Sequence, residues 1–91
     1  MEFQFEYDPV KSAANLAKHE IDFEMAKALW DDVWLLEAPA REMDEPRWLA
    51  IGKLAGKCWT AIFTRRGETI RLISVRRSRD EEITAHESTN I

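Results

Sequence analysis

The stretch TIRLISVRRSRDEE, residues 69 to 82, contains the side chains best suited to bind an anion. It opens as an apolar, strand-like run and ends in a block of arginines followed by acids. Arginine is permanently charged, and its planar guanidinium can bond two oxygens of one anion at once. Five arginines, three of this stretch and two that precede it, are candidate anion ligands: Arg47, Arg66, Arg71, Arg76 and Arg77.

The charge of the chain is strongly segregated. Residues 1 to 46 contain 4 Lys or Arg against 12 Asp or Glu, residues 47 to 79 contain 9 against 1, and residues 80 to 91 contain none against 4. The three balances of −8, +8 and −4 give the net charge of −4. A basic segment inside an acidic protein indicates an anionic ligand. The alternative is that the strand arginines pair with acids on the helices, and the residues alone leave both open.

Composition excludes several classes of protein. With 91 residues, 45% hydrophobic and 33% charged, the chain is expected to form a single domain over residues 1–91. The sequence has no run of a membrane-spanning length and no signal-peptide pattern, so a cytoplasmic protein without membrane contact is expected. Cys58 is the only cysteine and is predicted to be a small core residue; no metal or other cofactor is expected.

Two helices are predicted in the first third of the chain. Asp8 is a candidate N-cap and Pro9 a candidate first helical residue, which predicts a helix over 9–19. Its apolar stripe is expected to pack on the core; the stripe consists of Val10, Ala13, Ala14 and Ala17, widened by Leu16. A second, short helix is predicted from the cap Asp22 to about Asp31.

Strands are predicted over most of the remainder. Residues 33–38 read as one strand and residues 39–46 as a loop. Three more strands follow, joined by turns at Ala55-Gly56 and Arg66-Gly67. These turns would place Leu54 opposite Lys57 and Arg65 opposite Glu68.

The predicted register sorts the strand residues onto two faces. An apolar face would contain Trp48, Ala50, Gly52, Trp59, Ala61, Phe63, Ile70 and Leu72, with Ser74 and Arg76 continuing the row. A mixed face would contain Arg47, Leu49, Ile51, Lys53, Thr60, Ile62, Thr64, Arg71, Ile73 and Val75, with Arg77 at its edge. Arg71 would then lie opposite Ile62.

The C-terminal residues predict one more short helix, because Ser78 and Glu81 have capping-box spacing. The fold class is therefore α+β: two N-terminal helices on one face of an antiparallel sheet of about four strands, with a short C-terminal helix.

Several motifs resemble one known family. They are Asp8-Pro9, Asn15, Lys18-His19, Phe23-Glu24, Ala26, Arg47, Ile51-Gly52, Arg66-Gly67, Arg71, Ile73-Ser74 and Arg76. Together, over roughly residues 5 to 87, they resemble the BrnT family of type II toxins. The resemblance implies a RelE-like, metal-independent endoribonuclease that inhibits translation and arrests growth. Its 2′-hydroxyl attack on a phosphodiester needs in-line positioning and charge stabilisation.

The resemblance also implies partners. They are RNA, meaning messenger RNA that is free or on the ribosome, and a BrnA-type ribbon-helix-helix antitoxin, with operator DNA reached only through the toxin–antitoxin complex. Whether the chain forms a homodimer or a toxin–antitoxin hetero-oligomer is left open. Direct DNA binding by the chain itself is ranked last, since the first half is acidic and has no basic recognition helix.

Roles follow for individual residues under this resemblance. Arg71 and Arg76 would bind the cleaved phosphate. Arg66, Arg77, Arg47 and Lys18 would hold flanking RNA. His19 is a candidate proton carrier, although its place at a helix C-terminus fits a capping role equally well. His86 stands where relatives usually have tyrosine, and Ile83 replaces a common arginine. His86 is therefore either a substitute proton carrier or, with Ile83, a sign of a catalytically weakened module that binds antitoxin or acts as co-repressor.

Overall fold

The computed structural model describes residues 3–40 and 46–89. The helices are α1 (Pro9–His19), α2 (Phe23–Ala26), which runs into a 3-10 helix (Lys27–Asp31), and α3 (Asp80–Ser88). The strands are β1 (Gln4–Glu6), β2 (Leu36–Pro39), β3 (Trp48–Leu54), β4 (Lys57–Arg66) and β5 (Thr69–Arg77). Asp8 and Asp22 cap α1 and α2, as predicted. Most of the predicted loop over 39–46 lies outside the described residues.

The five strands form one mixed sheet in the order β1-β5-β4-β3-β2. The pairs formed by β2, β3, β4 and β5 are antiparallel, as predicted, but β1 adds a fifth strand that runs parallel to β5. The prediction of about four antiparallel strands was therefore wrong in this detail. A strand of only three residues carries too little alternation to be recognised without its partner.

The core lies on one face of the sheet, called here the helix face. Its buried strand residues are Ala50, Trp59, Ala61, Phe63, Ile70, Leu72 and Val75. Ile21, Phe23 and Leu29 of the α2 region cover them and are almost fully buried. Cys58 is buried too, as predicted. In the described residues, we found no helix with the length and apolar character needed to cross a membrane.

The first hairpin has the predicted register, and the second does not. Leu54 lies opposite Lys57, and the Ala55-Gly56 turn has positive φ at both residues. In the second hairpin Arg66 pairs with Thr69, so the loop is Gly67-Glu68 rather than Arg66-Gly67. Glycine here takes the first loop position with φ of 62°, an arrangement that two-residue hairpins also accept. Arg71 consequently lies opposite Thr64, not Ile62.

Helix α1 has the predicted bounds but packs with the opposite side. Val10 is 76% exposed and Leu16 is 44% exposed, whereas Ser12 and Asn15 are buried. The reason is the surface that α1 covers. Asn15 bonds both backbone groups of Val75 on the edge of β5, and a strand edge requires hydrogen-bonding partners rather than apolar ones.

Helix α3 lies on the other side of the sheet from α2. Its N-terminus is stabilised by Glu82, whose carboxylate accepts from the backbone N–H of Arg79 at 2.8 Å. The predicted cap pair Ser78 and Glu81 was one residue early. The Ser78 hydroxyl instead lies 2.8 Å from that of Thr60.

Candidate functional site

The face opposite the helix face, called here the second face, is where the predicted mixed face lies. Its strand residues, sorted by the observed register, are Leu49, Ile51, Lys53, Thr60, Ile62, Thr64, Arg66, Arg71, Ser74 and Arg76. Helix α3 crosses one end of this face, from Arg76 past Thr60 to Asp32. The other end, around Arg71, is free of α3.

A β-bulge in β5 decides which arginines reach this face. Phe63 pairs with Leu72 and Ile62 pairs with Ser74, so Ile73 is the extra residue. A bulge shifts the following residues by one position and reverses their faces. Ser74 and Arg76 therefore join Arg71 on the second face, where the predicted register had them in the apolar row.

The same bulge moves Arg77 away from the site. Arg77 lies opposite Trp59 on the helix face, and its guanidinium carbon is 5.3 Å from the centre of the Trp59 ring. The expected position of Arg77 at the edge of the mixed face was wrong, because the sequence pattern gives no sign of the extra residue.

Arg71 is the central cation of the uncovered part of the second face. Its Nη1 donates to Glu6 Oε2 at 2.6 Å, and the two side chains are 32% and 38% exposed. The contact arises because β1 lies beside β5, with Glu6 directly opposite Arg71. An ion pair this exposed contributes at most about 1 kcal/mol, so a stronger anion can replace the carboxylate.

Arg76 is held more firmly than Arg71. Both of its Nη atoms donate to Glu82, at 2.7 and 2.8 Å, and Glu82 also accepts from Thr60 and the Arg79 backbone. The bonds from Arg76 lower the pKa of Glu82 to about 2, against the cost of burial. The same bonds raise the pKa of Arg76. The guanidinium is fully engaged by a carboxylate of α3.

His86 is likewise committed to a contact within the protein. Its Nε2 lies 2.8 Å from Asp32 Oδ2, and its side chain is only 4% exposed. Burial opposes ionisation of Asp32, but hydrogen bonds from the Lys53 and Trp34 backbones and from His86 outweigh it and lower its pKa. The pair fastens α3 to the segment after the 3-10 helix.

Lys18 and His19 meet the sheet at a cavity of about 230 Å³ between α1 and the bulge of β5. Ile73 and Ser74 form its strand side, and Lys11 lines it as well. Ser74 is the next residue on the second face after Arg71. The structure thus brings Lys18 and His19 to one cavity with Ser74, and Arg71 lies on the same face of β5 as Ser74.

The remaining predicted residues lie at the same end of the second face as Arg71, away from α3. Arg66 is exposed and closes the β4–β5 hairpin opposite Thr69. Arg47 is half-buried directly before Trp48, the first residue of β3. No group of three or more His, Cys, Asp or Glu suited to a metal occurs within the described ranges.

The interpretation that the strand arginines pair with acids on the helices holds only in part. Arg65, Arg71 and Arg76 each pair with a glutamate, yet only Glu82, the partner of Arg76, belongs to a helix. Lys11 was not among the predicted site residues. Lys11 and Lys18 stand seven residues apart, which puts them on one side of a helix, but without the bulge there was nothing to indicate a cavity beside them.

Geometry of this kind can bind and polarise a phosphodiester. It offers primary amines and an imidazole from α1 around one cavity with Ser74, and a permanent cation at Arg71 on the same face of β5. Fixed cations stabilise charge that develops on phosphate oxygens, and an imidazole can transfer a proton.

Comparison with known proteins agrees with this chemistry. The family described as "Ribonuclease toxin, BrnT, of type II toxin-antitoxin system" matches residues 7–82, most of the chain. The match includes α1 and the whole of β5 and ends at residue 82, three residues into α3, so Glu6 and His86 lie outside it. No curated protein matched the chain. The chain therefore belongs to the BrnT family of ribonuclease toxins of type II toxin–antitoxin systems.

Proposed function

We propose that this protein is an endoribonuclease that cleaves RNA on the uncovered part of the second face, by attack of a 2′-hydroxyl on the adjacent phosphodiester and without a metal ion. One observation carries the proposal. Arg71 of β5 shares the second face with Ser74, and Ser74 lines the same cavity as Lys18 and His19 of α1.

Arg71 is the proposed ligand of the cleaved phosphate. Attack by the 2′-hydroxyl adds negative charge to the phosphate oxygens, and a guanidinium at that point stabilises the transition state more than the ground state. The exposed ion pair with Glu6 supports this role, because it keeps Arg71 extended along the second face and is weak enough to exchange for phosphate.

His19 is the proposed proton carrier, and Lys18 the proposed ligand of flanking RNA. His19 is the last residue of α1 and lines the cavity. An imidazole in this position can take the proton of the 2′-hydroxyl or return one to the 5′-oxygen that leaves, a contribution of about 10²- to 10⁴-fold in rate. The other histidine, His86, is occupied by Asp32.

Arg76 would act as a second phosphate ligand only when its hydrogen bonds to Glu82 are broken. Until then its role is to hold α3 in place beside the site. Arg66 and Arg47, at the hairpin end of the second face, are proposed to bind more distant backbone phosphates. Arg77 lies on the helix face, so a contact with RNA there would need a strand that wraps around the end of the sheet.

We further propose that the protein acts in the cytoplasm, where cleavage of messenger RNA inhibits translation. Its antitoxin would be a ribbon-helix-helix protein of the BrnA type. The toxin would contact operator DNA only through the toxin–antitoxin complex. Membership of a type II toxin family supports an RNA substrate and an antitoxin partner in general.

A second candidate function is a weakened module that binds the antitoxin and does not cleave RNA. The observation in its favour is that two of the four candidate catalytic residues, Arg76 and His86, are bound to Glu82 and Asp32. The first candidate is preferred because Arg71 and His19 do not depend on those contacts.

End-group analysis of the RNA products tests the proposal. Purified protein is incubated with a labelled RNA in the presence of EDTA, and the products are analysed by mass spectrometry. Attack by the 2′-hydroxyl predicts a 2′,3′-cyclic phosphate on one fragment and a 5′-hydroxyl on the other. Fragments with 5′-phosphates, or cleavage abolished by EDTA, would contradict the mechanism. Binding of the antitoxin with no cleavage at all would favour the second candidate.

A further inference from the structure

The cavity between α1 and β5 contains a lysine to which no role has been given. Lys11 and Lys18 line it from α1, two helical turns apart, and both are exposed. We propose that this cavity is a subsite for the RNA phosphate next to the cleaved one, with Lys11 and Lys18 as its ligands. The proposal rests on the proposed function, which puts the cleaved phosphate at Arg71.

The charge around the cavity supports an anionic ligand. Helix α1 has three cationic or ionisable basic residues and no acid, in a chain with 17 acids. Within the described ranges, no carboxylate lies within 4 Å of Lys11, Lys18 or His19, although three strand arginines each have a glutamate partner. Two amines directed to one cavity with no counterion lower the free energy of a bound phosphate.

The walls of the cavity fit a nucleotide better than a bare ion. Ile73 and Ala14 contribute apolar surface, and Ser74 adds a hydroxyl-bearing residue to the strand side. The Asn15 amide is already used by the Ile21 and Val75 backbones. The volume of about 230 Å³ leaves room for part of a ribose beside the phosphate.

The spacing along β5 between Arg71 and the cavity residue Ser74 is about that of one nucleotide. Ser74 follows Arg71 as the next second-face residue of β5, and the bulged Ile73 lies between them. Strand residues rise by ~3.3 Å each, so these neighbouring positions on one face are ~7 Å apart or slightly more. A single RNA strand that follows the edge of β5 would present successive phosphates to Arg71 and to the two lysines.

Binding of an RNA analogue that cannot be cleaved tests the subsite. A fluorescein-labelled hexanucleotide with 2′-fluoro riboses lacks the attacking hydroxyl, and fluorescence anisotropy measures its affinity for the wild type and for Lys11→Gln. We expect Lys11→Gln to bind about tenfold more weakly, since one charged hydrogen bond to phosphate is lost. The slope of the logarithm of the binding constant against the logarithm of the salt concentration should be smaller in magnitude for Lys11→Gln than for the wild type, by about 0.7. Lys57→Gln, an exposed lysine of the β3–β4 hairpin, is the matched control and should bind as the wild type does.

The outcomes separate this proposal from the proposed function. If Lys11→Gln binds with the affinity and salt slope of the wild type, the subsite is wrong, whether or not the wild type cleaves RNA. If Lys11→Gln weakens binding as expected but the wild type cleaves no RNA, the subsite stands and the proposed reaction fails. An equal loss of RNA affinity in Lys57→Gln would also overturn the subsite. It would show that the loss in Lys11→Gln comes from the lower positive charge of the protein as a whole and not from a contact at the cavity.

Discussion

Asn15 bonds both backbone groups of Val75 and so takes the place of a neighbouring strand. Its Nδ2 donates to the Val75 carbonyl at 2.9 Å, and its Oδ1 accepts from the Val75 N–H at 3.1 Å. The same Nδ2 donates to the Ile21 carbonyl at 2.7 Å. One buried amide thereby joins α1, the start of α2 and the open edge of β5, next to the bulge that forms the cavity.

Replacing Asn15 should therefore destabilise the whole fold. Asn15→Ala leaves the N–H and carbonyl of Val75 buried without partners, and each such group costs about 1–3 kcal/mol. We expect a loss of about 3 kcal/mol in the free energy of unfolding, measured by urea denaturation. Leu16→Ala, on the exposed side of the same helix, serves as the control and should cost well under 1 kcal/mol. Equal losses in the two variants would contradict the strand-edge role.

Stability should fall in acid because of Glu82. Its pKa is about 2 in the folded protein against an ordinary value of 4.5, so its contribution is complete above pH 4.5 and is lost as the pH falls towards 2. After a reduction for solvent screening, the ion pair with Arg76 should contribute about 2 kcal/mol to the free energy of unfolding. Urea unfolding between pH 6 and pH 2.5 measures this loss.

Two variants isolate the Glu82 contribution. Glu82→Gln should be less stable than the wild type at pH 6, and the gap should narrow as the pH falls from 4.5 towards 2, the pKa of Glu82 in the folded protein. This variant should still lose some stability in acid, because the pKa of Asp32 is also lowered in the folded protein. Glu81→Gln, one residue earlier and exposed, should follow the wild-type curve. A constant gap between Glu82→Gln and the wild type at all pH values would show that the ion pair is not the cause.

The two histidines should respond differently to substitution. His19→Ala is expected to lower the single-turnover cleavage rate by about 10²-fold or more, with little change in unfolding free energy. His86→Ala is expected to destabilise the protein by about 1–3 kcal/mol, since buried Asp32 loses a partner. Its cleavage rate should be retained at temperatures where it is folded. The reverse pattern, with His86 essential for the rate and His19 dispensable, would make His86 the proton carrier.

Local patterns in the sequence predicted the elements but not the bulge. Asp8-Pro9 and Asp22 are caps that act within four residues, so the helix starts were confirmed. The Ala55-Gly56 hairpin was also predicted in register. By contrast, the extra residue Ile73 has no local signature, and it alone decides that Arg76 rather than Arg77 shares the face of Arg71.

The buried side of α1 was missed for a related reason. Helical periodicity identifies an apolar stripe, but it assumes that the helix covers an apolar surface. Here α1 covers a strand edge, so Ser12 and Asn15 face inward and Val10 faces solvent. Lys18 and His19 were recognised as site residues through the family resemblance, whereas the neighbouring Lys11 became visible only through the cavity.

The most direct test of the account compares two strand arginines that have similar local surroundings. Arg71 and Arg65 each pair with a glutamate and are 32% and 44% exposed, but Arg71 lies on the second face and Arg65 stacks on Phe63 of the helix face. Single-turnover RNA cleavage by Arg71→Ala should be slower than wild type by about 100-fold or more, with Arg65→Ala close to wild type. Equal rates for the two variants, both folded, would contradict the assignment of the second face as the site of RNA cleavage.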